Sequence, residues 1–454
     1  MAKALKKLFR PDSLSGLQIV QLIRYGSLFL ISIVLAKSAL STESIGKFES
    51  LLLFTGALTF FWVTGIIQSL LPLFKNSKSF EDQSSGKKSP EIFNAFISLM
   101  AFSLLGGLLV LLIGESIANL IDIKLGRNLS YFVAAFVIFQ SPSALVEYIY
   151  LLNKEARKLV RYGWLVFGFQ FLLVSTAALL NLPLNWVLTA FVGSAFLRFV
   201  YLLVVISEYS RIQFSWKFQV EHMKLGIPIL VSVFLSGSAH YVDGFIIKAY
   251  YDESTFAVFR YGARELPLVA LLAHALSNGI IPVFTEKGIH AGLKSLKERS
   301  TVLAKWLFPV TLFLILTSYL LFPLIYDERF IASAGIFNVY LLLILTRLLF
   351  PQAIFIALKK TKVLMLAAGF ELLVNVGLSL IFVQYFGLLG VAFATLIAYS
   401  FERVFLMVYL RVILGIRVSQ YTNIIRHLLW SLVVLLAFIL VESFLKDAIL
   451  SLFS

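Results

Sequence analysis

Apolar stretches of about twenty residues recur along the whole chain, separated by short polar joints. They fall near 14–39, 51–74, 92–117, 129–153, 162–182, 184–206, 225–248, 255–284, 303–325, 334–357, 363–384, 387–410 and 427–444. A helix rises 1.5 Å per residue, so each stretch is long enough to cross the hydrocarbon core of a bilayer once. The pattern predicts an all-α polytopic membrane protein with about thirteen transmembrane helices. Two joints are very short: Asn181-Leu-Pro-Leu-Asn185, and the pair Gly387 and Gly390. Both are predicted to be tight turns between antiparallel helices. Gly106-Gly107, inside the third stretch, is expected to let helices pack closely.

Charge tests this division independently. With the N-terminus in the cytoplasm, alternate joints carry about 26 Lys and Arg inside and about seven outside. The inner set runs from Lys3, Lys6, Lys7 and Arg10 to Arg411, Arg417 and Arg426, and the outer set includes Lys37, Lys124, Lys248 and Arg329. A miscounted span would scramble this alternation. An odd number of spans puts the C-terminus outside, and the outer joints are all too short to hold an external catalytic domain.

Composition agrees. The 454 residues are 60% hydrophobic and 14% charged, too apolar for a soluble domain. The net charge of +15 would suggest nucleic acid in a soluble protein, but these cations are the short-joint cations just counted, so no nucleic-acid partner is expected. There is no cysteine and only five histidines, which excludes thiolate chemistry and gives no metal or cofactor motif. The basic start, Met1 to Arg10, leads into a long apolar run with no small-residue cleavage site. It is expected to begin a first spanning helix rather than a removed signal peptide.

The first half recurs in the second. Glu43-Ser-Ile-Gly-Lys-Phe48 matches Ser254-Thr-Phe-Ala-Val-Phe259, and Leu71-Pro-Leu-Phe74 matches Ile281-Pro-Val-Phe284. Pro142 matches Pro351, and Gly168-Phe-Gln170 matches Gly369-Phe-Glu371. The offsets, about 211, 210, 209 and 201 residues, hold one register. Six spans per copy is an even number, so the copies are parallel repeats about an axis along the membrane normal. The expected organisation is a six-helix bundle over 1–210, a second over 211–415, and an extra C-terminal transmembrane helix in 416–454. Two such bundles leave a cleft, and alternating access by rocking is the mechanical default.

Several of these segments resemble a known family. They are Gln21-Leu-Ile-Arg24 with Leu40-Ser-Thr-Glu-Ser-Ile-Gly46, Tyr241-Val-Asp243, and Phe259-Arg-Tyr-Gly-Ala-Arg-Glu-Leu-Pro267. Glu371-Leu-Leu-Val-Asn375 and Gly387-Leu-Leu-Gly-Val-Ala-Phe-Ala-Thr395 complete the set. In this order they resemble the polysaccharide-type flippases (Wzx-like, oligosaccharide flippase family) of the multidrug/oligosaccharidyl-lipid/polysaccharide exporter superfamily. The resemblance covers nearly the whole chain and implies a V-shaped, two-lobed transporter of the bacterial inner membrane. Its cargo would be a polyprenyl-pyrophosphate-linked oligosaccharide, flipped outward for polysaccharide, O-antigen (lipopolysaccharide) or capsule synthesis. A polysaccharide polymerase and glycosyltransferases would be its partners. Members commonly have twelve or fourteen helices, so thirteen is a departure.

An arginine at bilayer depth needs a partner or a wet cavity. Arg24, Arg198, Arg260, Arg264, Arg347 and Arg403 all lie within spans. A pyrophosphate is best held by planar donors that stay charged, which favours guanidinium over ammonium. Arg24, Arg260, Arg264, Arg198 and Arg347 are therefore the candidate substrate-binding residues. Arg260 and Arg264 are four apart and are expected on one helix face in the outer half of the eighth span. Arg24 lies in the inner half of the first, so the two positions would serve the two ends of the path. The competing reading is structural pairing with Glu147, Asp243, Glu265, Glu371 and Glu402. By that reading Arg403 belongs with its neighbour Glu402. Asp243, Glu265 and Glu371 are candidates for ion coupling or charge pairing, with pairing of Asp243 to Arg260 or Arg264 preferred.

Three other functions compete. A peptidoglycan lipid-precursor flippase of the same superfamily would also carry a diphosphate. A multidrug or cation antiporter would need a net acidic cleft, whereas arginines here at least match the acids. A membrane-embedded glycan polymerase would need carboxylates or a basic external loop, and the short outer joints disfavour it. The chain is read as a transporter and not an enzyme.

Overall fold

The computed structural model describes residues 13–78, 88–120, 126–264 and 267–451. Among these residues the only regular secondary structure is helical. The chain divides into two compact units, Met1–Gly237 and Ser238–Ser454.

The first unit contains α1 (Ser13–Lys37), α2 (Thr42–Lys78), α3 (Pro90–Leu120), α4 (Arg127–Ser143) and α5 (Leu145–Leu152). It continues with α6 (Ala156–Leu179), α7 (Leu184–Tyr209) and α8 (Trp216–Gly237). Helix α1 packs along α6, α2 along α8, and α4 lies against α3 and α7. Lipid tails are as apolar as leucine, so these contacts rest on close packing rather than on expulsion of water. Gly106 and Gly107 show it: a Cβ at Gly106 would come within 2.5 Å of the Trp62 ring, and one at Gly107 within 2.8 Å of Ile138. The expected close-packing role of this pair is thus met. On the far side of α3, Leu104, Leu105, Leu108 and Leu112 are exposed, as a lipid-facing surface requires.

The short joint after α6 is a turn. Asn181 takes a left-handed φ of 55°, and the amide of Leu182 donates to the carbonyl of Ala177 at 3.1 Å. These bonds satisfy carbonyls that the helix end would otherwise orphan.

The second unit contains α9 (Ala239–Tyr250), α10 (Glu253–Gly262), α11 (Pro267–Ile325), α12 (Ser333–Leu341), α13 (Ile344–Arg347) and α14 (Pro351–Ala357). It ends with α15 (Thr361–Leu414), α16 (Val418–Tyr421), α17 (Ile424–Leu440), a π turn (Val441–Leu445) and α18 (Lys446–Leu450). Asp252 caps α10, its side chain accepting from the amide of Thr255 at 2.8 Å.

Helix α15 has 54 residues, roughly 80 Å if straight, far more than a bilayer needs. It is two helices meeting at Gly387, whose φ of 59° and ψ of −136° are not helical. A Cβ on Gly390 would lie 2.2 Å from the carbonyl oxygen of Phe382. Eight residues of straight helix would separate those positions by about 12 Å, so the chain doubles back here, as Gly387 and Gly390 predict. Helix α11 breaks in the same way at Gly288, with φ 79° and ψ 174°.

Among the described residues ten helices are long and apolar enough to cross a membrane, or eleven if the bent pair Ser333–Arg347 and Pro351–Ala357 is one span. That pair bends by 47° at Phe350, which takes a left-handed φ of 54° ahead of Pro351. The protein is thus a multi-pass all-α membrane protein.

Candidate functional site

Each unit holds its own set of buried polar side chains. In the first, Arg24 on α1 donates to Glu147 on α5 in a salt bridge. The Glu147 side chain is 6% exposed and that of Arg24 34%. Arg198 on α7 is buried. Its guanidinium lies 5.4 Å from the centre of the Phe167 ring on α6, and that of Arg24 lies 5.1 Å from the same ring. The negative face of an aromatic ring attracts both cations. The hydroxyl of Ser27 donates to the carbonyl of Phe167 at 2.8 Å, tying α1 to α6. Among the described residues, no carboxylate lies within ion-pair distance of Arg198, and its Nε has no hydrogen-bond partner. Two guanidiniums and one carboxylate leave this cluster with a surplus positive charge.

In the second unit one buried acid is held by neutral donors. Asp243, on α9, is buried. Its Oδ2 accepts hydrogen bonds from the hydroxyls of Tyr340 on α12 and Thr395 on α15, the latter at 2.6 Å. The amide of Asn375 donates to Thr395 at 3.2 Å, and Ser379 donates to the Asn375 carbonyl oxygen at 3.2 Å. Oδ1 of Asp243 has no hydrogen-bond partner. Hard oxygen atoms grouped around a buried carboxylate suit a proton or a small cation. No group of three or more His, Cys, Asp or Glu able to hold a metal ion occurs among the described residues.

Arg264 and Arg347 line a recess together with Val269, Thr311, Tyr340 and Ile344. Among the described residues none of its lining side chains is a carboxylate. Arg264 lies over the Tyr261 ring at 4.6 Å, and Arg347 over Tyr399 at 4.8 Å. Tyr340 connects the recess to Asp243. Nearby, Arg403 also lies over Tyr399, at 4.6 Å, and is 3.6 Å from Glu402, which accepts from Gln352 at 2.6 Å.

The expectation of a shared helix face for Arg260 and Arg264 is corrected. Helix α10 ends at Gly262, and Ala263 leaves the helical region with φ −74° and ψ 27°, so Arg264 is no longer on the helix. Pro267 can donate no amide hydrogen and disfavours helix just before it, which accounts for the break. Arg260 remains on α10, half-buried and close enough to Asp243 to act on it electrostatically. Glu371 is half-buried on α15, and Glu265 lies outside the described residues. Lys248, counted with the outer cations, is buried and forms a salt bridge with Glu253.

Sequence reasoning missed Tyr340 and Glu442. Glu442, in the π turn after α17, accepts from Tyr319 at 2.9 Å and from Asn338 at 2.8 Å. The signal was present: carboxamides and carboxylates inside apolar runs must find a partner at bilayer depth. Which partner they find is tertiary information.

The fold defines the class. It matches the lipid II flippase MurJ in an inward closed conformation with a TM-score of 0.67 at 18% identity, over 95% of this chain and 99% of that one. It matches an inward-facing multidrug resistance MATE-family transporter of the MOP superfamily with a TM-score of 0.66 at 16% identity, over 86% and 94%. A MOP-superfamily transporter from Pyrococcus furiosus, described as having a binding pocket of reverse polarity, matches with a TM-score of 0.51 at 16% identity, over 90% and 97%. The fold is that of MOP-superfamily membrane transporters. The chain belongs to the polysaccharide biosynthesis protein family, which matches residues 40–335. No curated protein matches it in sequence.

Proposed function

We propose that this protein flips a polyprenyl-pyrophosphate-linked oligosaccharide from the cytoplasmic to the outer leaflet by alternating access of two helical lobes. The observation that carries this reading is the recess lined by Arg264 and Arg347, the charged side chains among its described lining residues. Two guanidiniums provide the forked, permanently charged donors that suit a diphosphate. The surplus positive charge of Arg24, Glu147 and Arg198 supports a second anion position on the path. Asp243 would carry the coupling proton or cation, because Tyr340 joins it directly to the recess. A cation antiporter is disfavoured by the same positive lining.

The lobes are proposed as the duplicated bundles 1–210 and 211–415, with 416–454 appended. Counting the breaks at Gly288 and Gly387 as turns between spans supports thirteen crossings. The N-terminus would be cytoplasmic and the C-terminus outside, in a bacterial inner membrane beside the polymerase and glycosyltransferases of the same pathway. A peptidoglycan lipid-precursor flippase is the second reading, since that cargo carries the same diphosphate and the fold matches a lipid II flippase. Family membership favours the glycan.

Deleting the gene should trap polyprenyl-linked glycan on the cytoplasmic leaflet, with peptidoglycan synthesis undisturbed. Accumulation of lipid II instead would select the second reading. Accumulation of neither would reject both.

A further inference from the structure

A second, shallow recess lies where the N-terminus of α17 meets α11. Its lining includes Ser300, Thr301, Thr422, Asn423, Arg426 and Trp430, and among the described residues no acidic side chain lines it. Thr422 is only 4% exposed, and its Oγ1 has no hydrogen-bond partner. A buried hydroxyl with no partner is costly and marks a place for an acceptor. Arg426 is half-buried and takes part in no salt bridge among the described residues. The first amides of α17 point out of the helix end, where the dipole favours negative charge. Asn423 caps only part of that end, accepting from the Arg426 amide at 3.4 Å.

The surroundings identify what kind of anion fits. Trp430 stacks on Phe308 at 5.9 Å, one turn beyond Arg426, an aromatic wall of the sort found at membrane interfaces. On the same helix Ile425, Leu428, Leu429 and Leu432 are 54–75% exposed, a surface made for acyl chains. We propose that this recess binds the phosphate of an anionic phospholipid, held by Arg426, Thr422 and the end of α17, with its acyl chains along α17. The site shares no lining residue with the Arg264–Arg347 recess, so it stands or falls independently of the cargo.

Native mass spectrometry of the full chain in detergent tests it, with dioleoylphosphatidylglycerol, dioleoylglycerol and inorganic phosphate as probes. Phosphatidylglycerol should bind, and dioleoylglycerol should bind at least about tenfold less, as loss of charge-assisted hydrogen bonds implies. Arg426→Gln should cost a similar factor. Thr422→Val should weaken retention by several-fold, and Lys305→Gln, a change outside the recess, should leave it unaltered. Equal retention by the wild type and both recess variants, each checked for an unchanged melting temperature, would overturn the site. Equal binding of dioleoylglycerol would overturn the role of the phosphate. Displacement of the lipid by about 1 mM inorganic phosphate would overturn the lipid in favour of a free anion.

Discussion

The clusters around Glu147 in the first unit and Asp243 in the second handle buried charge in different ways. In the first, the acid is spent on a base: Glu147 is bonded to Arg24, and Arg198 shares a ring with it. In the second, Asp243 is bonded to neutral hydroxyls, while Arg264 and Arg347 rest on aromatic rings and line an open recess. A carboxylate bonded to an arginine has its charge fixed. One held by hydroxyls can take up and release a cation. On the function proposed above, the first cluster would hold charge in place and the second would exchange it.

The strongest test breaks the first cluster. Glu147→Gln leaves buried Arg198 and part-exposed Arg24 with no carboxylate between them and should destabilise the protein by about 1–3 kcal/mol, read as a fall in melting temperature in detergent. Adding Arg24→Met should recover much of that loss. If Glu147→Gln melts like the wild type, the cluster is not what holds α1 to α5.

Next in size, Arg264→Gln with Arg347→Gln should lower transport by more than about tenfold at matched amounts of folded protein, because both guanidiniums line the recess. Undiminished transport instead would remove the recess from the path.

Asp243→Asn sharpens the contrast further. It should abolish the dependence of transport on the driving cation or proton, a coupling worth about tenfold, and Tyr340→Phe should move the pH profile in the same direction with smaller size. Unchanged ion dependence in both variants would return Asp243 to a purely structural role.

The smallest effect concerns the helix that carries Arg260. Asp252 caps α10, and its bonds to Thr255 hold its carboxyl below the usual carboxylate range. A lowered folded value means the cap is present at neutral pH and is lost as pH falls through that value. Asp252→Ala should therefore cost about 1 kcal/mol at neutral pH, and the difference from wild type should vanish in strong acid. A gap that persists there would point to lost packing instead.

Much of the architecture could be read from particular residues. Gly387 and Gly390 announced a chain reversal because glycine tolerates a left-handed φ and a close backbone approach. Gly106-Gly107 announced close packing because each lacks the atom that would strike Trp62 or Ile138. The five candidate arginines were visible for a similar reason: a permanent charge inside an apolar run stands out. The grouping of Arg24 with Arg198, and of Arg264 with Arg347, was not visible, since these residues lie on helices far apart in sequence. Helical periodicity, extended across residue 263, put Arg260 and Arg264 on one face, but the turn before Pro267 separated them.

By itself the sequence determined that this chain lives in a membrane, that its spans are helical, and that arginines at least match acids within them. Those follow from composition and local periodicity, because the bilayer forces each span to satisfy its own backbone. Only the tertiary structure decided which acid meets which base. A buried carboxylate bonds to whatever donor the packing brings within about 3 Å, and that neighbour is Arg24 for Glu147 but Tyr340 and Thr395 for Asp243.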